Sequence, residues 1–445
     1  MSTSLTALDP FLDEDKALAC VHCGLCLASC PTYLETGNEN DSPRGRVYLM
    51  RAIQQGRLSL DASVSPAEHI DRCLGCRACE TACPSGVQYG SLLEHTRDYM
   101  EHHMTRPWFQ RLLRRVFIEK VFPFPGRFRL AMMPAVLMKR MELTHLLPAF
   151  LKDALELAPD RLEADRVPAF SPSNQQPAKG RVGLIKGCVM PVLFGGTHQA
   201  TIRILNQMGY DVVVPDGQVC CGALYAHSGQ LDKARDVARR NIEVFDRAHC
   251  DTILINAAGC GSTLKEYGHL LEEDSELTPK TVGFVSKVKD FSEWMDIVGW
   301  NAFEQAFITK RRDASSNGGG DPSSLFQTST TFHDACHLAH AQGITQQPRD
   351  LVKAVAGDHY VELSESEICC GSAGSYNLTE PEMAARLQKR KINHIERTHA
   401  AIVVTTNPGC ILQIQAGLKK AGRDQVKVMH IADYLDTAMA EALKV

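Results

Sequence analysis

A chain of 445 residues is too long for one small core and points to roughly two to four domains. Its net charge of -4 lacks the basic footprint that bulk nucleic-acid binding requires. No run of about 18 uninterrupted apolar residues occurs, which argues against a membrane-spanning helix.

The first residues, MSTSLTALDPFLDEDKAL, have neither the basic start nor the apolar stretch of a secretory signal, so a cytoplasmic setting is expected. In such a reducing compartment the 17 cysteines are read as metal ligands rather than disulfides. CVHCGLCLASCP, residues 20–31, is matched by CLGCRACETACP, residues 73–84. Two copies of C-x2-C-x2-C-x3-C-P are the pattern of two [4Fe–4S] clusters, in which three close cysteines hold one cube and the fourth reaches the other. The expected ligation is crossed: Cys20, Cys23, Cys26 and Cys83 for one cluster, Cys73, Cys76, Cys79 and Cys30 for the other. Zinc and buried free thiols are the alternatives. His22 does not fit the spacing and is read as a surface or hydrogen-bonding residue. Gly24 and Gly75 suit tight backbone close to sulfur.

Between the motifs, SPRGRVYLMRAIQQGRL predicts a helix capped by Ser42, with Pro43 in its first turn and Val47, Met50 and Ile53 on one face. This makes the module, residues 1–100, an α-helical ferredoxin. Arg44 and Arg46 are placed to stabilise anionic clusters, or simply to solvate a helix start.

Residues 101–150 carry nine Lys/Arg against three Glu, interleaved with Trp108, Phe109, Phe117, Phe122 and Phe124. Such a stretch fits a membrane surface, a partner subunit, or a helical bridge with its basic face solvated. Residues 163–180 read as a polar, proline-rich linker, so 101–180 is taken as a basic amphipathic helical bridge and linker.

Beyond residue 180 a set of cysteines occurs twice: Cys188, Cys220, Cys221 and Cys260, then Cys336, Cys369, Cys370 and Cys410. The offsets are 336−188 = 148, 369−220 = 149, 370−221 = 149 and 410−260 = 150, the mark of a duplicated domain. Short apolar runs ending in Gly/Cys turns alternate with helical stretches, which predicts α/β copies at 181–311 and 326–445 with largely parallel sheets. Three of the four cysteine positions per copy can converge at the strand C-terminal ends. A further iron–sulfur cluster or zinc is expected in one or both copies. Cys250 falls outside both sets and reads as a buried free thiol. Residues 312–325 form a Gly/Ser-rich linker, and its NGGGDP neither follows a strand nor opens a helix. With no Rossmann fingerprint and no P-loop, no flavin site is expected in this chain. The fold class is therefore α+β multidomain.

These features together resemble the iron–sulfur subunits of glycolate dehydrogenase (glycolate oxidase): CVHCGLCLASCPTY, SPRGRVYLM, DRCLGCRACETACPSGV, AAGCGSTLKEYG, CCGSAGSY and a closing PGC. The duplicated unit resembles the CCG domain of heterodisulfide reductase, which binds non-cubane clusters. That module ends in CxxC; here Cys260 is followed by GSTL and Cys410 by ILQI, so each copy has four cysteines. The resemblance implies flavoprotein (FAD) partner subunits that oxidise a 2-hydroxy acid. It also implies transfer of their electrons towards a quinone-type acceptor, on the cytoplasmic face of a membrane. The alternatives are a lactate or glycerol-3-phosphate dehydrogenase complex, a thiol/disulfide reductase, and a zinc-stapled scaffold.

Overall fold

A computed structural model of the chain describes residues 10–60, 65–141, 158–164, 166–316 and 324–443. The end of the basic stretch (142–157) and the middle of the Gly/Ser-rich linker (317–323) lie outside the described residues.

The N-terminal module is helical. Pro31–Thr36 and Pro43–Gln54 each begin on a proline that follows a turn, and Ser42 Oγ accepts the Gly45 amide at 3.0 Å to cap the second. Val47, Met50 and Ile53 are buried on one face of it, as the spacing predicts. They pack with Ile70 and with Leu92, Leu93 and Met100 of helix Tyr89–His103.

Helices Trp108–Arg114 and Pro125–Arg140, joined through a π-helical turn at Arg115–Val121, follow. Here the expected polarity is partly reversed. Arg106 and Arg114 turn inward to Asp71 and Glu101, and Arg129 donates to the Glu163 carbonyl. Trp108 (76% exposed), Leu130 (69%), Met133 and Leu137 face outward. Among the described residues, no helix is long and apolar enough to cross a membrane.

The first α/β copy has strands β1 (Phe170–Ser171), β2 (Arg181–Ile185), β3 (Asp211–Val213), β4 (Thr252–Ile255) and β5 (Val288–Asp290) in the order β1-β3-β2-β4-β5. All pairs are parallel except β1 with β3. The proline-rich stretch 163–180 thus supplies an edge strand, Phe170 pairing with Val213. The second copy has β6 (Thr330–Phe332), β7 (Ile402–Thr405) and β8 (Lys427–His430), all parallel. A single parallel bridge from Thr330 to Tyr360 stands where the first copy has β3. The first copy has Asp-Val-Val there; the second has Tyr-Val-Glu-Leu with Glu362 exposed and Leu363 buried. Helix Asn301–Ser316 continues into the stretch read as linker, whose Arg-Asp-Ala-Ser-Ser start breaks no helix.

One core joins the copies. Val182, Leu184 and Leu254 of one sheet and Phe332, Ile402 and Val404 of the other share a buried cluster with Tyr434 and Leu435. Helix Ile431–Ala442 packs on helix Gly195–Met208, and Thr197 Oγ1 donates to Asp433 at 2.7 Å across that seam.

Candidate metal centres

The two N-terminal motifs share a backbone shape. His22 and Gly24 in one, Gly75 and Arg77 in the other, all take positive φ (54°, 85°, 66° and 65°). Each loop needs two left-handed residues at the same positions, and each spends glycine on only one of them. This accounts for His22, which is exposed and holds a turn.

Cys30, Cys73, Cys76 and Cys79 are buried and line one cavity with Arg46 and Tyr89. This is one of the crossed sets, drawn from both motifs. Burial, then neighbouring thiols, push the Cys76 and Cys79 thiols well above their ordinary pKa. Burial also opposes ionisation of Cys73, but Arg46 and Arg97 outweigh it and lower that thiol. Crowded buried thiols of this kind fit a metal cluster, which supplies the charge that thiolates lack. Tyr89 donates its hydroxyl to Cys73 Sγ at 3.5 Å, and the Gly75 amide donates to the same sulfur at 3.4 Å. Arg46, 1% exposed, donates to Cys30 Sγ at 3.9 Å and lies 3.6 Å from Asp41. It is no solvated helix start.

The other set lies nearer the surface: Cys20, Cys26 and Cys83 are partly buried and Cys23 is exposed, with Val21 and Leu25 exposed beside it. The Arg44 amide faces the Cys26 thiol, and the Arg44 guanidinium donates to the His22 carbonyl at 3.1 Å.

In the first α/β copy all four cysteines of the repeated set come together. Cys188 adjoins Cys220, Cys220 adjoins Cys221, and Cys221 adjoins Cys260. Contacts with Cys188 and Cys221 hold the Cys220 thiol well below its usual pKa. Those same contacts push Cys188 and Cys221 up. In the second copy Cys336 adjoins Cys369, Cys369 adjoins Cys370, and Cys370 adjoins Cys410. Cys188 and Cys336 lie in the turns after β2 and β6, and Cys260 and Cys410 in the first turn of the helices after β4 and β7, all towards the strand C-terminal ends. Cys250 is buried, and a Cβ on Gly183 would lie 2.8 Å from its sulfur, so it is a packing residue of β2.

The N-terminal module meets the second copy at its thiols. Leu74, Cys76 and Ala78 share one buried cluster with Cys369, Tyr376 and Leu387, with Cys336 packed against it. Tyr376 donates its hydroxyl to the Arg72 carbonyl at 2.7 Å, and Glu35 pairs with Arg390 at 3.1 Å. The first copy meets the module through other groups: Glu266 pairs with Arg77, and His227 with Glu94 at 2.9 Å.

Sequence reading missed several residues around these sites. Asp41 is fully buried beneath Arg46, His69 and Arg72; burial opposes its ionisation, and His69 and Arg72 overcome that. Arg97 donates to the Cys73 and His227 carbonyls at 2.6 and 2.9 Å, and Lys391 donates to the Glu365 and Ser366 carbonyls. Spacing gives little signal for them, because apart from Arg46 beside Asp41 the partners named here lie 24 or more residues away. His333 is different, since superposing the two repeats puts it opposite Ile185.

A 4Fe-4S dicluster domain family matches residues 16–87, and a cysteine-rich domain family matches twice, at 182–265 and 330–415. The chain is 36% identical over 438 residues to the probable glycolate oxidase iron-sulfur subunit of Bacillus subtilis (strain 168), covering 95% of this chain and 94% of that one. It is 35% identical over 420 residues to the glycolate oxidase iron-sulfur subunit of Escherichia coli (strain K12), covering 94% and 93%. Lactate utilization protein A of Oceanobacillus iheyensis is 28% identical over 258 residues, 58% of this chain and 97% of that one.

Proposed function

This chain belongs to the family of glycolate oxidase iron-sulfur subunits, and from that premise we propose that it is the electron-transfer subunit of a membrane-associated 2-hydroxy-acid dehydrogenase whose substrate is glycolate. Flavoprotein subunits of the same complex oxidise the substrate, and a quinone-type acceptor takes the electrons. Iron–sulfur clusters bound here supply one-electron carriers. The residues that hold them are the two crossed ferredoxin sets and the Cys336 set; the Cys188 set takes a further cluster or zinc.

The observation that carries this reading is the seat of Cys76 against Cys336 and Cys369. It supports an order from surface to interior: the Cys20 set with exposed Cys23, the Cys30 set, then the Cys336 set. Arg46 and Tyr89 favour the reduced, more negative state at the middle stage. The outward apolar residues Trp108, Leu130, Met133 and Leu137 support that side as the membrane-facing one.

The test is reconstitution. The chain alone should bind iron and sulfide without oxidising glycolate, and glycolate oxidation should appear once the flavoprotein subunits are added. A complex that oxidised lactate and not glycolate would overturn the substrate while leaving the relay. Disulfide reduction by the chain without a flavoprotein would overturn the relay.

A further inference from the structure

We propose that His333 is a fifth ligand of the iron–sulfur cluster held by Cys336, Cys369, Cys370 and Cys410, so that the second copy binds through four thiolates and one imidazole and the first through thiolates alone. The inference rests on the electron-transfer reading above and adds a donor to it.

The geometry is local. His333 follows β6 directly and is 1% exposed. A ring nitrogen of His333 and the sulfurs of Cys370 and Cys410 all lie within 4.8 Å of one another. Neither ring nitrogen makes a well-formed hydrogen bond within the described residues. A Ser366 backbone group lies beside the ring and can take one nitrogen, which leaves the other without a partner. A buried imidazole left unpaired costs about 1–3 kcal/mol, so an unpaired one aimed at two thiols calls for a partner.

The repeat supplies an internal control. With the offset of 148 that relates Cys188 to Cys336, the stretch FHDAC lies over LIKGC and His333 over Ile185. Ile185 is buried in the apolar cluster around Cys188, Cys220 and Cys221. The position is therefore an apolar packing site in one copy and a donor site in the other.

The experiment uses the full chain, loaded with iron and sulfide and produced with 15N-histidine, and reads pulsed EPR on the signal that remains beyond the two ferredoxin clusters. A strong 15N coupling is expected, and it should vanish in His333→Ile while the iron of the ferredoxin clusters stays. No strong coupling in the natural sequence, or one that persists in His333→Ile, would overturn the assignment. The natural-sequence arm needs no variant to fold. Metal analysis separates the layers. Iron beyond the ferredoxin clusters without 15N coupling sinks the histidine ligand only, whereas zinc in place of that iron sinks the relay role of the second copy as well.

Discussion

The two cysteine-rich copies carry the same four thiols on equivalent strand ends, yet what surrounds those thiols differs. At the eleventh residue of the long helix that follows each Cys-Cys-Gly segment, Leu231–Ala248 in the first copy and Pro381–Thr398 in the second, the first has Asn241 and the second Lys391. Asn241 donates to the Cys220 carbonyl at 3.0 Å and stays neutral; Lys391 brings a cation towards Cys369 and Cys370. Ile185 faces His333 across the repeat, and the second copy alone has its thiols in the buried cluster that contains Cys76. Duplication preserved the frame that gathers the thiols. Divergence changed the charge, the donors and the neighbour, which are the quantities that set a cluster's potential.

The sharpest way to break this comparison is to damage each copy in turn. In the assembled complex, Cys370→Ser should abolish reduction of the acceptor by glycolate while flavin reduction by substrate continues. Cys221→Ser should leave a measurable share of acceptor reduction. Equal losses, followed by stopped-flow absorbance of flavin and acceptor, would mean that both copies serve the path alike.

A large effect is also expected at Arg46, which links the second copy's neighbouring cluster to the fold. Arg46→Leu leaves Asp41 buried with fewer partners, at a cost of about 3–5 kcal/mol. It should also make the potential of the Cys30-set cluster more negative in a redox titration. Arg44→Leu, at the more exposed set, should change the melting temperature little. Tyr89→Phe removes one O–H···S bond, so a loss of about 1 kcal/mol and a smaller negative shift at the same cluster are expected.

The smallest effect concerns the seam between the copies. Burial raises the pKa of Asp433 from 3.8 to about 6. The folded chain thus holds this proton more tightly than the unfolded chain. The resulting stability is fully present below pH 3.8 and is lost as the pH rises to about 6. Asp433→Asn should remove that slope, still accept the Thr197 hydroxyl, and melt higher at pH 7, by on the order of 1 kcal/mol. An unchanged pH profile of thermal melting would show that Asp433 is not a source of the slope.

Much of the architecture was legible because it is periodic. The paired motifs, the 149-residue repeat and the helix behind Ser42 are local patterns, and the thiol sets in each copy follow from strand–turn–helix order. What stayed hidden depends on distant partners. Arg46, which the sequence leaves open between a cluster-stabilising cation and a solvated helix start, is buried against Asp41, the His69 carbonyl and Cys30 Sγ. The basic stretch fits a membrane surface, a partner subunit or a solvated helical bridge by sequence; in the structure its arginines reach acidic side chains and carbonyls, which leaves Trp108 and Leu130 outside. The meeting of Cys76 with the second copy joins residues more than 250 apart in the chain. His333 is legible in the repeat itself, because the offset of 148 sets it against the apolar Ile185.

The central claim is that the buried ferredoxin set hands on to the second copy. Magnetic interaction between reduced clusters tests it most directly. In EPR of the dithionite-reduced chain, the signal of the Cys30-set cluster should be broadened by the spins of both its neighbours, the Cys20-set and Cys336-set clusters. Part of that broadening should be lost in Cys370→Ser and none in Cys221→Ser. Broadening that is unchanged in Cys370→Ser, or that is reduced in Cys221→Ser instead, would contradict the account.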